Sequence, residues 1–446
     1  MSDTIGSETQ STERAPRTAG FLVRLLDADA PAAGSSWHSL DGIERVTIGR
    51  GPEHAATRVD RTLALAVPDP RMSEQHAALE WRGDAWSIRD LQSKNGVRVN
   101  GAVVAALGAS IDANDTFECG RSFFVLGEGA SAGAPRDRHV ADPDDQATFV
   151  PQLGAALAEL WRVAATPLSI ALVGETGSGK EVLARAVHAR SQRSGAFVAI
   201  NCGALPATLV EGTLFGHRRG AFSGAIDDQL GAVRAADRGT LFLDEIAELS
   251  RPAQTALLRV LQEHEVTPLG ATRPVAVEFR VVVATQRQLD ELVAADVLRA
   301  DLVHRLAGLT FAIPPLRERR ADLGLVIASL LRRLATAPIR LAPAAVRLLL
   351  EHDWPGNVRE LEKCLELAIV RSRAGVIERE HLELAPPPIP PEPQLSAADR
   401  ARRDELTALL AKHGGNVSAV ARELTKDRVQ IRRWIARYGI DLGHYR

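Results

Sequence analysis

Cysteine is scarce in this sequence: Cys119, Cys202 and Cys364 are the only three in 446 residues. They stand far apart and lack metal-site spacing, so neither a disulfide scaffold nor a zinc motif organises the chain. Such usage fits a reducing cytoplasm. Net charge is nearly absent too, at -2. No global basic field points to nucleic acid, and any basic patch must be local. Long apolar runs are missing; none approaches the ~20 residues needed to span a bilayer. The opening residues, MSDTIGSETQSTERAP, are polar with no apolar h-region, so no export signal is expected. What remains is an ordinary globular mix, 45% hydrophobic and 25% charged. Its length suits about two to four domains.

One stretch organises the rest: Gly174, Glu175, Thr176, Gly177, Ser178, Gly179, Lys180 and Glu181. An apolar run over 168–173 precedes it, and helical spacing over 182–188 follows it. Strand, glycine loop, helix is the context of a phosphate-binding P-loop. The glycines let backbone N–H groups curl round an anion, and the helix N-terminus adds its dipole. Lys180 would reach the β- and γ-phosphates. Glu181 stands where Ser or Thr usually ligates Mg²⁺. A second stretch, Gly239 to Glu245, is an apolar strand ending in two carboxylates. Asp244 is placed to hold Mg²⁺ and Glu245 to orient and deprotonate a water. The alternative, a glycine turn and an unrelated acidic turn, must explain both motifs in this order.

Taken in order, residues 1–18 read as a disordered tail rich in Ser, Thr and Glu. Residues 19–128 alternate short β-like runs with turns such as Asn95-Gly96 and Asn100-Gly101, which predicts a β-sandwich. Residues 129–145 read as a linker. Residues 146–385 alternate buried strands and helices, predicting a parallel sheet with its site at the strands' C-terminal edge. From about residue 315 the periodicity turns helical, over 323–334, 344–350 and 358–370, which predicts a helical lid. A polyproline spacer covers 386–394. Residues 395–446 carry 11 Lys and Arg against 6 Asp and Glu, in two helix-like pieces separated by Thr425-Lys426-Asp427. That pattern predicts an all-α helix-turn-helix. Ile431 and Ile435 would face its core, while Arg428, Gln430, Arg432 and Arg433 would face DNA. A solvated charged helix in a C-terminal cap is the competing reading.

Two resemblances add roles. Ile48-Gly49-Arg50, Met72 to Ala77, Asp90 to Gly96 and Val99-Asn100-Gly101 resemble the forkhead-associated (FHA) domain, whose loops bind phosphothreonine peptides. The resemblance implies Arg50, Ser73 and Asn95 as phosphopeptide ligands, with His76 bracing the loop from inside. Glu74 departs from the Arg or Asn often found there, and a shell used only for packing stays open.

Residues 147–383 resemble sigma-54-dependent transcriptional activators of the AAA+ class, through GETGSGKE, FVAINCGAL, LFGHRRGAFSGA, GTLFLDEI, LLRVLQE, PPLRER and WPGNVREL. The C-terminal GGNVSAVARELTKDRVQIRRWIARYGI is similar to that family's Fis-like DNA-binding domain. The resemblance implies an ATPase using ATP and Mg²⁺, a homo-oligomeric and hexameric ring, enhancer DNA and sigma-54 RNA polymerase holoenzyme as partners, and cytoplasmic location without a membrane. It implies sigma-54 contact by Gly220, Ala221, Phe222, Ser223, Gly224 and Ala225. Asn201 would restrain the catalytic Glu245. Arg299 and Arg305 would be arginine fingers, and Gln286 and Arg359 nucleotide sensors. Ser223 replaces a Thr, Gln286 an Asn, Leu298 a Phe and Thr425 a Gly. An altered polymerase contact or slower hydrolysis therefore stays open. So does a DNA-binding ATPase that does not engage sigma-54, or one whose nucleotide only gates oligomerisation.

Overall fold

The computed structural model describes residues 20–83, 85–129, 136–143, 146–204, 207–221, 225–372, 374–384, 397–413, 417–424, 431, 434, 435 and 438. The expected tail over 1–18 and spacer over 386–394 lie outside them. The chain divides into two units, 1–384 and 385–446.

The N-terminal part is a β-sandwich. One seven-stranded sheet runs, in spatial order, through 137–140, 35–39, 20–27, 122–128, 116–119, 97–99 and 102–103. The facing six-stranded sheet runs through 109–111, 86–90, 77–81, 45–50, 62–67 and 55–59. Residues 129–145, expected as a linker, are partly sheet: Asp137–Val140 pairs antiparallel with Ser35–Ser39. Backbone pairing needs no apolar side chain, so composition does not reveal it. The side chain of Asp137 then anchors the strand, accepting from His38 Nδ1 at 2.7 Å and Arg58 Nε at 2.9 Å.

The strand Gly20–Asp27 (GFLVRLLD) is apolar at nearly every position, not at alternate ones, because both its faces are buried. Leu22 points into the sandwich with Phe124 and Leu126. Phe21, Val23 and Leu25 point the other way, joining Trp37, Phe123 and Val125 in a core shared with the lid helices. At about 1.5–3 kcal/mol per buried large apolar side chain, these six are worth of the order of 10 kcal/mol. The sandwich is thus docked on the lid, not swinging from a tether. Polar contacts line the seam: Leu341 N–H donates to Ala28 O at 2.7 Å, and Arg347 Nε to the buried Glu118 at 3.0 Å.

The second layer system is a five-stranded parallel sheet, ordered 197–201, 240–244, 280–285, 170–173, 309–312. The strand Ile170–Val173 is buried throughout, as a strand covered on both faces must be. Its C-terminal end delivers the glycine loop to the helix Lys180–Arg190. The lid comprises the helices Leu323–Leu334, Pro343–Glu351 and Asn357–Arg371. The stretches read as helical in the sequence sit inside them.

In the C-terminal unit, the helices Ala397–Lys412 and Val417–Glu423 pack around Leu406, Leu410, Val420, Ile431, Ile435 and Tyr438. Ile431 and Ile435 are core residues, as their spacing predicts. Arg428, Gln430, Arg432 and Arg433 lie outside the described residues. Among the described residues no helix is long and apolar enough to cross a membrane.

Candidate functional site

The site lies at the C-terminal edge of the parallel sheet, between it and the lid. A cavity of about 330 Å³ opens there, lined by the glycine loop from Thr176 to Glu181, by Asn201, Asp244 and Glu245, and by Arg359 of the lid. Gly177 and Gly179 have φ of 75° and 100°, left-handed values that make glycine the fitting residue. A Cβ on Gly177 would also collide with the Gly356 carbonyl oxygen, so the loop and lid touch there backbone to backbone.

Lys180 is buried, and its ammonium donates to Gly174 O at 2.8 Å and Glu175 O at 3.1 Å. Desolvation lowers its pKa, while Glu245 and Asp244 pull it back up. A polyphosphate would replace the two carbonyls with charged acceptors, a stronger pairing for a buried ammonium. Asp244 ends its strand half-buried, and burial together with Glu245 raises its pKa. A carboxylate that resists ionising alone is suited to a divalent cation, which would offset that penalty. Glu245 stands next at φ 52°, a left-handed conformation uncommon outside glycine. Backbone strain of this kind clusters at functional sites.

Three side chains meet partners other than those the resemblance implies. Asn201 does not hold Glu245: its Oδ1 accepts from Gly203 N–H at 3.0 Å and Ala204 N–H at 3.2 Å, closing its own turn. Gln286 holds Glu245 instead, donating from Nε2 to Oε1 at 2.9 Å. The extra methylene of Gln, compared with Asn, gives the reach. Glu175 is not among the residues that line the cavity. Arg317 grips it bidentately at 2.6 and 2.9 Å, and Asn357 donates to it at 3.0 Å. These bonds lower its pKa and clamp loop to lid. Glu181 lines the cavity but pairs with Arg185, four residues on, at 2.7 Å. Arg317 and Asn357 lie in PPLRER and WPGNVREL, so the signal for them was present, but their partner was not.

If Gln286 is the restraint on Glu245, Gln286→Ala should raise hydrolysis by the free chain about 3–10-fold, the worth of one charge-assisted hydrogen bond. Steady-state phosphate release would show it; an unchanged rate would return the role to Asn201.

Arg299 and Arg305 are not among the residues lining this cavity. Arg299 is half-exposed and paired with Asp301 at 2.7 Å; Arg305 donates to Leu261 O at 3.1 Å. The loop that begins at Gly216 is pinned at its base. His217 bridges to Gln229, Gly220 N–H donates to Ala225 O at 2.8 Å, and Arg218 pairs with Asp228. Ile226 and Leu230 are exposed beside it. Phe222, Ser223 and Gly224 lie outside the described residues.

At one end of the sandwich a second polar cluster forms. Ser73 Oγ accepts from Lys94 N–H at 3.1 Å, and Asn95 Nδ2 donates to Arg71 O at 2.6 Å. Arg50 donates its backbone N–H to Ser73 O at 2.9 Å. Its guanidinium is half-exposed, 3.9 Å from Glu74. Fully buried His76 accepts from Ser73 N–H at 3.0 Å through Nδ1 and reaches Gly96 O at 3.1 Å through Nε2. That requires the Nε2–H tautomer, and burial lowers its pKa in keeping with a neutral brace.

Comparison with known proteins shows which families the parts of the chain resemble. Residues 149–312 match the sigma-54 interaction domain. Residues 317–392 match the AAA+ ATPase lid domain, and residues 46–118 the FHA domain. The chain is 41% identical over 308 residues to the anaerobic nitric oxide reductase transcription regulator NorR of Aeromonas hydrophila, covering 63% of this chain and 61% of that one. It is 41% identical over 285 residues to the Nif-specific regulatory protein of Azotobacter vinelandii, covering 61% and 55%. It thus spans about half to three fifths of these relatives. Among solved structures, NtrX from Brucella abortus in complex with ADP aligns at TM-score 0.50 and 28% identity, over 66% of this chain and 70% of that one.

Proposed function

We propose that this chain is an ATP-hydrolysing transcriptional activator that binds enhancer DNA and remodels sigma-54 RNA polymerase holoenzyme. One observation carries the reading. Lys180, Asp244 and Glu245 line one cavity, in a domain that also presents the pinned loop 216–230. Lys180 would neutralise the phosphates, Asp244 would hold Mg²⁺, and Glu245 would take the proton of the attacking water. Bound Mg²⁺ supplies charge neutralisation of the leaving phosphate. Arg359, on the lid side, would report the γ-phosphate by drawing the lid down. Arg299 and Arg305, away from their own cavity, would serve a neighbouring subunit's in a ring, hexameric by the resemblance. The loop would carry the resulting movement to sigma-54 through Phe222 and Ser223. Arg428, Gln430, Arg432 and Arg433 would hold the enhancer.

The test is capture of sigma-54 by the full chain loaded with Mg²⁺–ADP and a phosphate transition-state mimic. Stable capture is expected, with Phe222→Ala hydrolysing ATP normally yet failing to capture. Equal capture by Phe222→Ala, or none by the wild type, would favour a DNA-binding ATPase that does not engage sigma-54.

The sandwich would recognise phosphothreonine, on a partner or on this chain's own segment; Thr4, Thr9, Thr12 and Thr18 are candidates. Arg50 would grip the phosphate, with the Ser73 hydroxyl and the Asn95 amide completing the contact. The added charge is about -1.5 to -2 near neutral pH, so Arg50 should carry most discrimination against plain Thr. Glu74 opposes it but is largely exposed, 3.9 Å away, and free to turn into solvent. In titrations of the full chain with phosphothreonine peptides, Arg50→Ala should abolish binding and Glu74→Arg should strengthen it, more at low salt. No preference for phosphorylated over plain peptides would reduce the sandwich to a packing module.

A further inference from the structure

Arg319 reaches the nucleotide cavity alongside Lys180 and Arg359. Arg319 sits where the last sheet strand gives way to the lid and lines the same cavity as Lys180. Its Nη2 lies 3.4 Å from Ser178 O, long for a hydrogen bond. Its Nε is buried with no hydrogen-bond partner among the described residues, and the Ser178 hydroxyl in the same cavity shares that condition. The negative charge that acts on Arg319, Asp322, is already committed: it accepts from Thr148 Oγ1 at 2.8 Å and Phe149 N–H at 2.6 Å. An enclosed guanidinium without a paired anion is unfavourable as it stands. A polyanion in the cavity would satisfy both orphaned groups together.

The other end of this short segment is held by the sandwich. Gly324 opens the lid helix Leu323–Leu334, and a Cβ there would run far inside van der Waals contact with the backbone carbonyl of Leu25. Between them, the buried carboxyl of Asp322 ties the turn to Phe149. Arg319 to Gly324 therefore forms a strut with one end in the cavity and the other against the strand Gly20–Asp27.

We propose that Arg319 is a phosphate-contacting residue of the nucleotide cavity, and that the docked sandwich holds it there through Gly324. The inference rests on the reading of this cavity as a nucleotide site. It gives the sandwich a mechanical route to the ATPase: any force that shifts the Gly20–Asp27 strand shifts the Arg319 guanidinium.

Calorimetric titration of the full chain with ADP, in the presence of Mg²⁺, tests both halves, with adenosine as the phosphate-free comparison. Arg319→Ala should weaken ADP about tenfold or more while leaving adenosine nearly unchanged. Arg319→Lys should recover part of the loss, because it keeps the charge without the fork. A packing defect would weaken both ligands and would not be rescued. Gly324→Ala should weaken ADP about fivefold or more. Alanine favours the helix itself, so the clash with the sandwich is the only disturbance, and a cooperative thermal transition would show the chain folded. Lys180→Ala separates the failures. If Lys180→Ala binds ADP like the wild type, the nucleotide-site reading falls. If it loses ADP while Arg319→Ala does not, the site stands and the contact is overturned. Wild-type ADP affinity in Gly324→Ala overturns the coupling.

Discussion

Lys180→Ala should bind neither ATP nor ADP, whereas Glu245→Gln should bind ATP with near wild-type affinity and lose hydrolysis by a factor of about 10² or more. The two expectations differ because the residues act at different steps. The Lys180 ammonium is buried on the loop carbonyls of Gly174 and Glu175. Without it, the phosphates would enter a glycine cradle with far less positive charge to meet them. The Glu245 carboxylate accepts a hydrogen bond from Gln286 across the sheet edge. Gln keeps the size and the ability to accept from Gln286 but cannot take a proton from water. Equilibrium binding of a labelled nucleotide and steady-state phosphate release separate the outcomes. Turnover by Glu245→Gln at the wild-type rate would remove the general base from the account.

The second large effect is on assembly. Arg299→Ala alone and Lys180→Ala alone should each be nearly inactive, yet a mixture of the two should regain measurable hydrolysis. The reason is spatial: Arg299 and Arg305 are absent from the lining of their own cavity, where Lys180, Asp244, Glu245 and Arg359 converge. In a mixed ring, some interfaces pair an intact loop from an Arg299→Ala subunit with an intact Arg299 from a Lys180→Ala subunit. An arginine finger supplied in trans is worth about 10³–10⁵ in rate, so even a minority of such interfaces would stand above background. Wild-type activity should correspondingly rise more steeply than linearly with protein concentration. Full specific activity in dilute monomer, or no recovery on mixing, would contradict action in trans.

Much of this architecture was legible because each signal was local. The apolar run at 168–173 and the stretch 239–245 read as buried strands, and the strands formed are Ile170–Val173 and Thr240–Asp244, with the glycine loop and Glu245 following at the sheet edge. The spacing of Ile431 and Ile435 alone placed both in a core. What escaped was non-local. The strand Asp137–Val140 is held by backbone pairing and by His38, 99 residues away, which no composition can report. The excess apolar character of Gly20–Asp27 was visible, but not that its outer face meets the lid. Side-chain reach decided the remainder. Glu175 looks like a loop residue until Arg317, 142 residues on, takes it. Gln286 differs from the family's Asn by one methylene, and in this chain it is Gln286 that meets Glu245, while Asn201 closes its own turn.

The central claim is that ATP hydrolysis at this cavity is converted into promoter opening by sigma-54 polymerase. Its most direct measurement is chemical footprinting of unpaired bases on a sigma-54 promoter template bearing this chain's enhancer, with purified holoenzyme, the full chain and ATP. The account predicts melting around the start site with ATP, and none with ADP or with Glu245→Gln. Melting without hydrolysis, or a closed promoter despite bound chain and steady ATP turnover, would contradict it.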